Sequence, residues 1–303
     1  MIFPNNFRSN ATLGIVAPSS PFKKYSLNEI ESSLKNLGYN VKFGKSCYDS
    51  YKGYLSSKDS IRAKDIEDMF LDDEVDAIFC IRGGYGSPRI LNMINYDIIK
   101  ENPKPFIGFS DITALHTAFN QKCNFITFHG IMAGSSPDWD EFSYKSLLDA
   151  LNLKESLIIK NPSSLPINTL VSGKCSGIIT GGNLALLVST LGSEYEIDTK
   201  DKILFIEDIG ESIYRLDRML TSLDLAGKFK DCAGVIFGDF CDCNKSSDED
   251  FELEELFLDI VAKYNKPCIS NLKCGHCTPM ITLPLGAYCE LDATTKEIKL
   301  ILR

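Results

Sequence analysis

Short apolar runs alternate with segments of helical spacing through the first half of the chain. Thr12 to Ser20 (TLGIVAPSS) is an apolar run ending in Pro and Ser, which reads as a buried strand entering a loop. Leu27, Ile30, Leu34 and Leu37 then recur at helical spacing, and Gly38 supplies a stop. NVKFGKS is a second strand. The segment from Ser56 to Val75 reads as a helix with Ile61, Ile66, Met69 and Phe70 as its apolar stripe. VDAIFCIRGG is a strand running into glycines, SPRILNMINYDIIKENP is mostly helical, and PKPFIGFS is another strand. This β-α-β-α rhythm predicts a parallel sheet covered by helices on both faces.

The rhythm weakens between Asp138 and Pro166. SSPDWDEFSYKSLLDALNLKESL holds a helix, and NPSSLPINT has the Pro, Ser and Asn content of a linker. The expected organisation is therefore an N-terminal α/β domain over 1–150, a linker over 151–168 and a strand-rich domain over 169–303. In the latter, CSGIITGG, KILFIEDIG, AGVIFGDF and the closing TLPLGAYCELDATTKEIKLILR read as strands. GNLALLVSTLG and SIYRLDRMLTSLDLAG read as helices. The acidic run SSDEDFELEE reads as a solvated loop leading into a helix N-terminus.

Charge and composition narrow the function classes. A net charge of -9 over 303 residues makes the chain a poor partner for nucleic acid, which wants a Lys/Arg surface. The apolar run Leu13–Ala17 is too short for a signal-peptide core, and no stretch suggests a membrane span. The expectation is a soluble, cytoplasmic protein with no membrane partner. Its 11 cysteines then read as free thiols. Cys241, Cys243, Cys274 and Cys277 form two close pairs, but C-D-C is tight for a zinc knuckle, so no metal is expected.

Several residues could carry chemistry. In PFIGFSDITALHTAF a strand ends at Phe109, Ser110 stands at the turn, and Asp111 to Phe119 reads as a helix. A serine there projects above the sheet edge, with free backbone N–H groups behind it that can hold an oxyanion. The Asp111 amide is the natural first donor. A plain helix N-cap explains the same serine, and the segment lacks the second glycine of G-x-S-x-G. Gly83, Gly84 and Gly86 in CIRGGYGSPRI follow a strand. They fit an oxyanion donor, a phosphate loop without the usual Lys-Ser/Thr ending, or a tight turn.

A serine nucleophile needs a base, and the chain has three histidines. His116 falls inside an amphipathic helix and reads as a packing residue. His129 ends a short strand and could line a pocket. His276 sits in a loop punctuated by Gly and Pro; spacing alone does not select it. A carboxylate to hold the imidazole could be Glu207 or Asp208 at a strand end, or Glu211. Asp208 and Glu211 also read as N-terminal acids of the following helix.

Together, GIVAPSSP, EVDAIFCIRGGYGSPRIL, KPFIGFSDITALH, TFHGIM, GGNLALL, ILFIEDIGESIYRLDRML and the closing GH…LPLGAYCELDA resemble the L,D-carboxypeptidase family, which includes microcin C immunity peptidases. The likeness runs over nearly the whole chain. It implies a flavodoxin-like parallel-sheet N-terminal domain with a smaller β-rich C-terminal domain. It implies Ser110 as nucleophile, Glu207 as relay carboxylate and His276 as base. Gly84, Gly86, Asp111 and His129 are then expected around the oxyanion and substrate, with no cofactor. The implied substrate is a small peptide, murein tetrapeptide losing its terminal D-alanine in peptidoglycan recycling, and the implied assembly is a homodimer. A microcin-type aminoacyl nucleotide is the alternative, for which Trp139 could be a stacking surface. A flavodoxin-like nucleotide-binding module is the reading from a different class. The cysteines flanking His276 depart from the family pattern.

Overall fold

The computed structural model describes residues 1–4, 7–163 and 165–302. Asn5 and Asn6 of the expected N-terminal domain, Ser164 of the expected linker and Arg303 at the end of the expected C-terminal domain lie outside the described residues. The chain forms two compact units. The first holds Met1–Asn152 with Thr282–Pro284, and the second holds Leu153–Ile281 with Leu285–Arg303. Among the described residues no helix is long and apolar enough to cross a membrane.

In the first unit, strands β1 (Thr12–Val16), β2 (Asn40–Phe43), β3 (Ala77–Cys80), β4 (Phe106–Gly108) and β5 (Thr127–His129) are all parallel. They lie in the order β5-β4-β3-β1-β2. This is the flavodoxin-like 2-1-3-4-5 order, which reverses direction between β1 and β3. Ligands of such sheets bind beyond the carboxyl ends of the strands at that reversal, where the loops diverge. The loops in question are Ala17–Ser20 after β1 and Ile81–Gly86 after β3.

The apolar runs explain the strands: Leu13, Ile15, Val16, Ile78 and Phe106 are fully buried, as central parallel strands require. Helix α1 (Leu27–Asn36) starts at a Ser26–Glu29 capping box and buries Ile30 and Leu34. Helix α2 (Asp59–Leu71) buries Ile66, Met69 and Phe70 as its spacing predicts, but also Arg62 and Asp65. The predicted helix after Ser110 is broken up. Ser110–Ile112 is a single 3₁₀ turn, α4 covers Thr113–Ala118, and Phe119–Cys123 widens into a π turn. Between β3 and β4, 87–93 is 3₁₀ and α3 is confined to Tyr96–Glu101. The helix of the following segment is α5 (Glu141–Leu151), capped by Asp140.

The second unit is built on an eight-stranded mixed sheet. Its strands in chain order are β6 (Ser156–Ile159), β7 (Asn168–Val171), β8 (Lys174–Asn183), β9 (Ile203–Ile209), β10 (Gly234–Cys241) and β11 (Cys268–Ser270). After β12 (Leu283–Leu285), which joins the six-stranded sheet beside β5, come β13 (Tyr288–Asp292) and β14 (Glu297–Ile301). Strands β8, β9, β10 and β11 run parallel, and β13 and β14 add antiparallel hairpin pairing.

Helices α6 (Leu184–Ser189), α7 (Ile213–Leu225), α8 (Lys228–Asp231) and α9 (Leu253–Val261) complete the unit. Leu216, Leu220 and Leu223 of α7, at i, i+4 and i+7, pack into a core with Leu204, Ile206 and Phe237. Each such leucine contributes about 1.5–3 kcal/mol through burial. Phe257 of α9 stacks on Phe237 at 3.9 Å between centroids.

Two expectations are corrected. Ser156–Ile159, within the expected linker, is a strand paired with β14; its four residues are too short for a period to stand out beside the Pro and Ser cluster. Thr282–Pro284, within the expected C-terminal domain, belongs to the first unit.

Candidate active site

Ser110 follows β4 directly. The register of β3 on β4 pairs Phe79 with Ile107, so the glycines after β3 run beside the serine after β4. Ser110 has φ of 65°, in the left-handed region that costs a side-chain-bearing residue energy. The backbone before it is extended at Phe109, and the chain turns straight into the 3₁₀ turn. This is the strained strand-to-helix geometry that lifts a nucleophilic serine above a sheet. A simple N-cap needs no such strain, having β-region φ and ψ.

Gly83 stands against that serine. A methyl group at Gly83 would lie 2.8 Å from Ser110 Cβ, 3.0 Å from its Oγ and 3.3 Å from the Asp111 nitrogen. Only a residue without Cβ permits this approach. The amides of Gly84 and Asp111 donate to no protein group among the described residues, which leaves them available to an oxyanion. Gly86 is buried, and its carbonyl accepts from Arg62 Nη1 at 2.9 Å.

The Asp111 side chain is buried. It accepts from Ser19 Oγ at 2.5 Å and from the Ser87 amide at 2.7 Å. These bonds tie the loops after β1 and β3 to the serine turn. Ser20 strengthens the tie, with its Oγ accepting from the Tyr85 amide at 3.0 Å. Beneath them lies Arg62, fully buried, which donates to the carbonyls of Pro18 and Gly86 and to Asp59 Oδ1 at 2.5 Å. Asp59 in turn takes a bidentate contact from Arg89. Sequence reasoning missed Arg62, because an arginine between Ile61 and Ala63 on a helix reads as a solvated residue.

The two histidines of the first unit lie close to the turn. His116 is fully buried, and its Nε2–H donates to Gly108 O at 2.8 Å. Burial pushes its pKa down to about 4, so it is neutral at pH 7. His129 is also fully buried, with its ring 5.8 Å from that of Phe109 and 6.3 Å from that of His116. His129, expected beside the substrate, thus has its ring next to those of Phe109 and His116.

In the second unit, Glu207 lies in β9, paired in register with Asn183 of β8, and is fully buried. The loop after β11 runs back along β10. Leu272 N–H donates to Phe237 O at 3.3 Å and Asp239 N–H to Cys274 O at 3.0 Å, while Lys273 pairs with Asp239 at 2.6 Å. This path brings His276 to Glu207, with Nδ1 2.7 Å from Oε2. Gly275 makes the approach feasible. Its φ is 127°, and a methyl group there would stand 2.6 Å from Glu207 Oε2.

Asp208, one residue on, points elsewhere. It accepts from Asn183 Nδ2 and from the Ala185 and Ile209 amides. It thus caps the start of α6, whereas the reading as an acid of α7 placed it on the wrong helix. Burial, with the neighbouring Glu207 charge, raises its pKa to about 6. Glu211 stands 3.6 Å from Arg215 of α7.

All eleven cysteines are free. Among the described residues no group of three or more His, Cys, Asp or Glu side chains is gathered as a metal site. Burial pushes the Cys277 thiol up to about 12 and that of Cys274 well above its ordinary value, so both are thiols, not thiolates, at neutral pH.

Two family models match the chain: LD-carboxypeptidase N-terminal domain over residues 13–130, and LD-carboxypeptidase C-terminal domain over 176–291. The chain belongs to the LD-carboxypeptidase family. Among LD-carboxypeptidase relatives, a probable murein peptide carboxypeptidase of Bacillus subtilis is 38% identical, over 97% of this chain and 94% of its own. The microcin self-immunity protein MccF of Escherichia coli is 29% identical over 95% of this chain and 92% of its own. A solved structure of MccF with glutamyl sulfamoyl guanosine matches with a TM-score of 0.90 at 25% identity, covering 99% of this chain and 98% of that one. A muramoyltetrapeptide carboxypeptidase from Oxalobacter formigenes matches at 0.82 and 25% identity, covering 95% and 97%. As an LD-carboxypeptidase family member, the chain combines the parallel-sheet first unit and the β-rich second unit expected for it.

Proposed function

We propose that this chain is a serine-type carboxypeptidase that releases the terminal D-alanine of murein tetrapeptide, with Ser110 as nucleophile, His276 as base and Glu207 as the carboxylate that orients it. The observation that carries the reading is Ser110 itself, held at positive φ against Gly83 with the Asp111 amide beside it. A serine hydroxyl is a weak nucleophile, so it needs the base, and the base needs a fixed tautomer. Glu207 accepts the Nδ1–H of His276, which leaves Nε2 to take the serine proton. Ser110 Oγ then adds to the amide carbonyl, and the resulting oxyanion takes hydrogen bonds from the Gly84 and Asp111 amides. His276 gives its proton to the leaving amine of D-alanine. Water, deprotonated by the same imidazole, hydrolyses the acyl-enzyme and restores Ser110.

Two points favour murein peptide over an aminoacyl nucleotide. The relative named as a murein peptide carboxypeptidase is 38% identical, against 29% for MccF. Trp139, the one tryptophan that could stack on a base, is already engaged within the first unit. Its ring stacks on Tyr144 at 5.8 Å, and its Nε1–H donates to Met132 O and Ser135 Oγ. The test compares kcat/KM on murein tetrapeptide with that on an aminoacyl sulfamoyl adenylate. The reading expects the tetrapeptide to be favoured. A preference for the adenylate by more than about tenfold, ~1.4 kcal/mol of transition-state binding, overturns the substrate assignment and leaves the triad in place. The cytoplasmic location and the homodimer implied by the family belong to the same reading; light scattering of the purified chain tests the dimer.

A further inference from the structure

A carboxypeptidase must recognise the free carboxylate of its substrate. In a C-terminal residue the carboxylate carbon is three bonds from the scissile carbonyl carbon, a few ångströms away. Its anchor therefore stands close to the nucleophile. We propose that Arg82 anchors the free C-terminal carboxylate of the peptide substrate. The inference rests on the reading of Ser110 as nucleophile and adds the group that selects for a chain end.

Arg82 directly precedes Gly83, the residue in contact with Ser110. Its side chain folds over the glycine loop: Nε–H donates to Gly83 O at 3.0 Å, and Nη1 donates to Pro21 O at 3.3 Å. Nη2 lies 3.4 Å from where a methyl group on Gly84 would stand. The two carbonyls therefore fix the guanidinium beside the glycine whose amide is free, and they use only part of its five-donor fork.

Charge completes the argument. Arg82 is half-buried, and among the described residues no carboxylate pairs with it. The neighbouring cations are already paired: Arg62 and Arg89 both with Asp59, and Lys24 with Asp138. A partly desolvated guanidinium without a counter-charge favours an incoming anion, and its planar fork matches a carboxylate. The carbonyl contacts orient the fork without neutralising it.

The experiment uses the full chain and two peptides that differ only at the C-terminus, one ending in free D-alanine and the other in D-alanine amide. Arg82→Ala and Arg82→Lys are compared with the wild type, each first checked for folding by thermal unfolding. The wild type should prefer the free acid. Arg82→Ala should lose at least tenfold more kcat/KM on the acid than on the amide, mainly through KM. Arg82→Lys should keep part of the preference, and guanidinium ion added to Arg82→Ala should restore part of it. Should Arg82→Ala fail to fold, the acid-to-amide ratio of Arg82→Lys decides: a ratio unchanged from wild type overturns the anchor. Equal losses of Arg82→Ala on both peptides also overturn it. A wild type inactive on both peptides overturns the proposed function itself, and the anchor with it.

Discussion

His276 Nδ1 stands 2.7 Å from Glu207 Oε2, and the Glu207 side chain is fully buried. The other oxygen, Oε1, has no hydrogen-bond partner among the described residues. A buried carboxylate that spends its one good contact on an imidazole is costly as a purely structural device. It is suited to fixing a tautomer and stabilising the imidazolium that forms during acyl transfer.

Glu207→Gln keeps the shape of this contact and removes the charge. It should lower kcat by about 10³–10⁴-fold with a normal unfolding transition. Gly275→Ala tests the same contact from the other side, because its methyl group would push Glu207 Oε2 from 2.6 Å and its φ of 127° is hostile to any side chain. Steady-state kinetics on the tetrapeptide should show both variants losing kcat far more than KM. An active Glu207→Gln would mean that the pair serves the fold and not the chemistry.

Arg62 makes a stability prediction. Removing it leaves the buried carbonyls of Pro18 and Gly86 without their donor and Asp59 without one of its two arginines. Arg62→Ala should cost about 3–5 kcal/mol in urea unfolding, the range for breaking a buried, hydrogen-bonded charge. An effect below about 1 kcal/mol would show that water can replace the guanidinium.

Much of this was legible in the sequence, for identifiable reasons. The parallel strands of the first unit are written as apolar runs because both sheet faces are covered. The turn at Ser110 was legible as a strand-to-helix junction, while the residues alone left a plain N-cap open. The register that places Gly83 against Ser110 was not legible, since it depends on β3 and β4 pairing across 27 residues of intervening chain between Phe79 and Ile107. Arg62 was not legible, because burial of a polar side chain is decided by long-range partners, here the carbonyls of Pro18 and Gly86. Likewise, four residues of β6 carry too short a pattern to outweigh the Pro and Ser around them.

His116 predicts a pH dependence of stability. Its folded pKa near 4 lies below the ordinary histidine value of 6.5, because burial disfavours the charged ring. A base with a depressed folded pKa contributes stability that is fully present above pH 6.5 and is lost as the pH falls toward 4, where the unfolded chain binds the extra proton. The contribution is on the order of 3 kcal/mol. In His116→Gln the amide can still donate to Gly108 O, and this part of the acid sensitivity should vanish. The check is the difference between wild type and variant in urea unfolding at pH 7 and pH 4.5. An identical pH slope in the two proteins would place the titration elsewhere.

The most direct test of the central claim is the rate of D-alanine release from murein tetrapeptide by the wild-type chain and by Ser110→Ala. The account predicts one D-alanine released per tetrapeptide by the wild type. It predicts a loss of about 10³–10⁶-fold in kcat for Ser110→Ala, whose fold is otherwise unchanged. Release by Ser110→Ala within about tenfold of the wild-type rate would contradict the assignment of Ser110 as nucleophile.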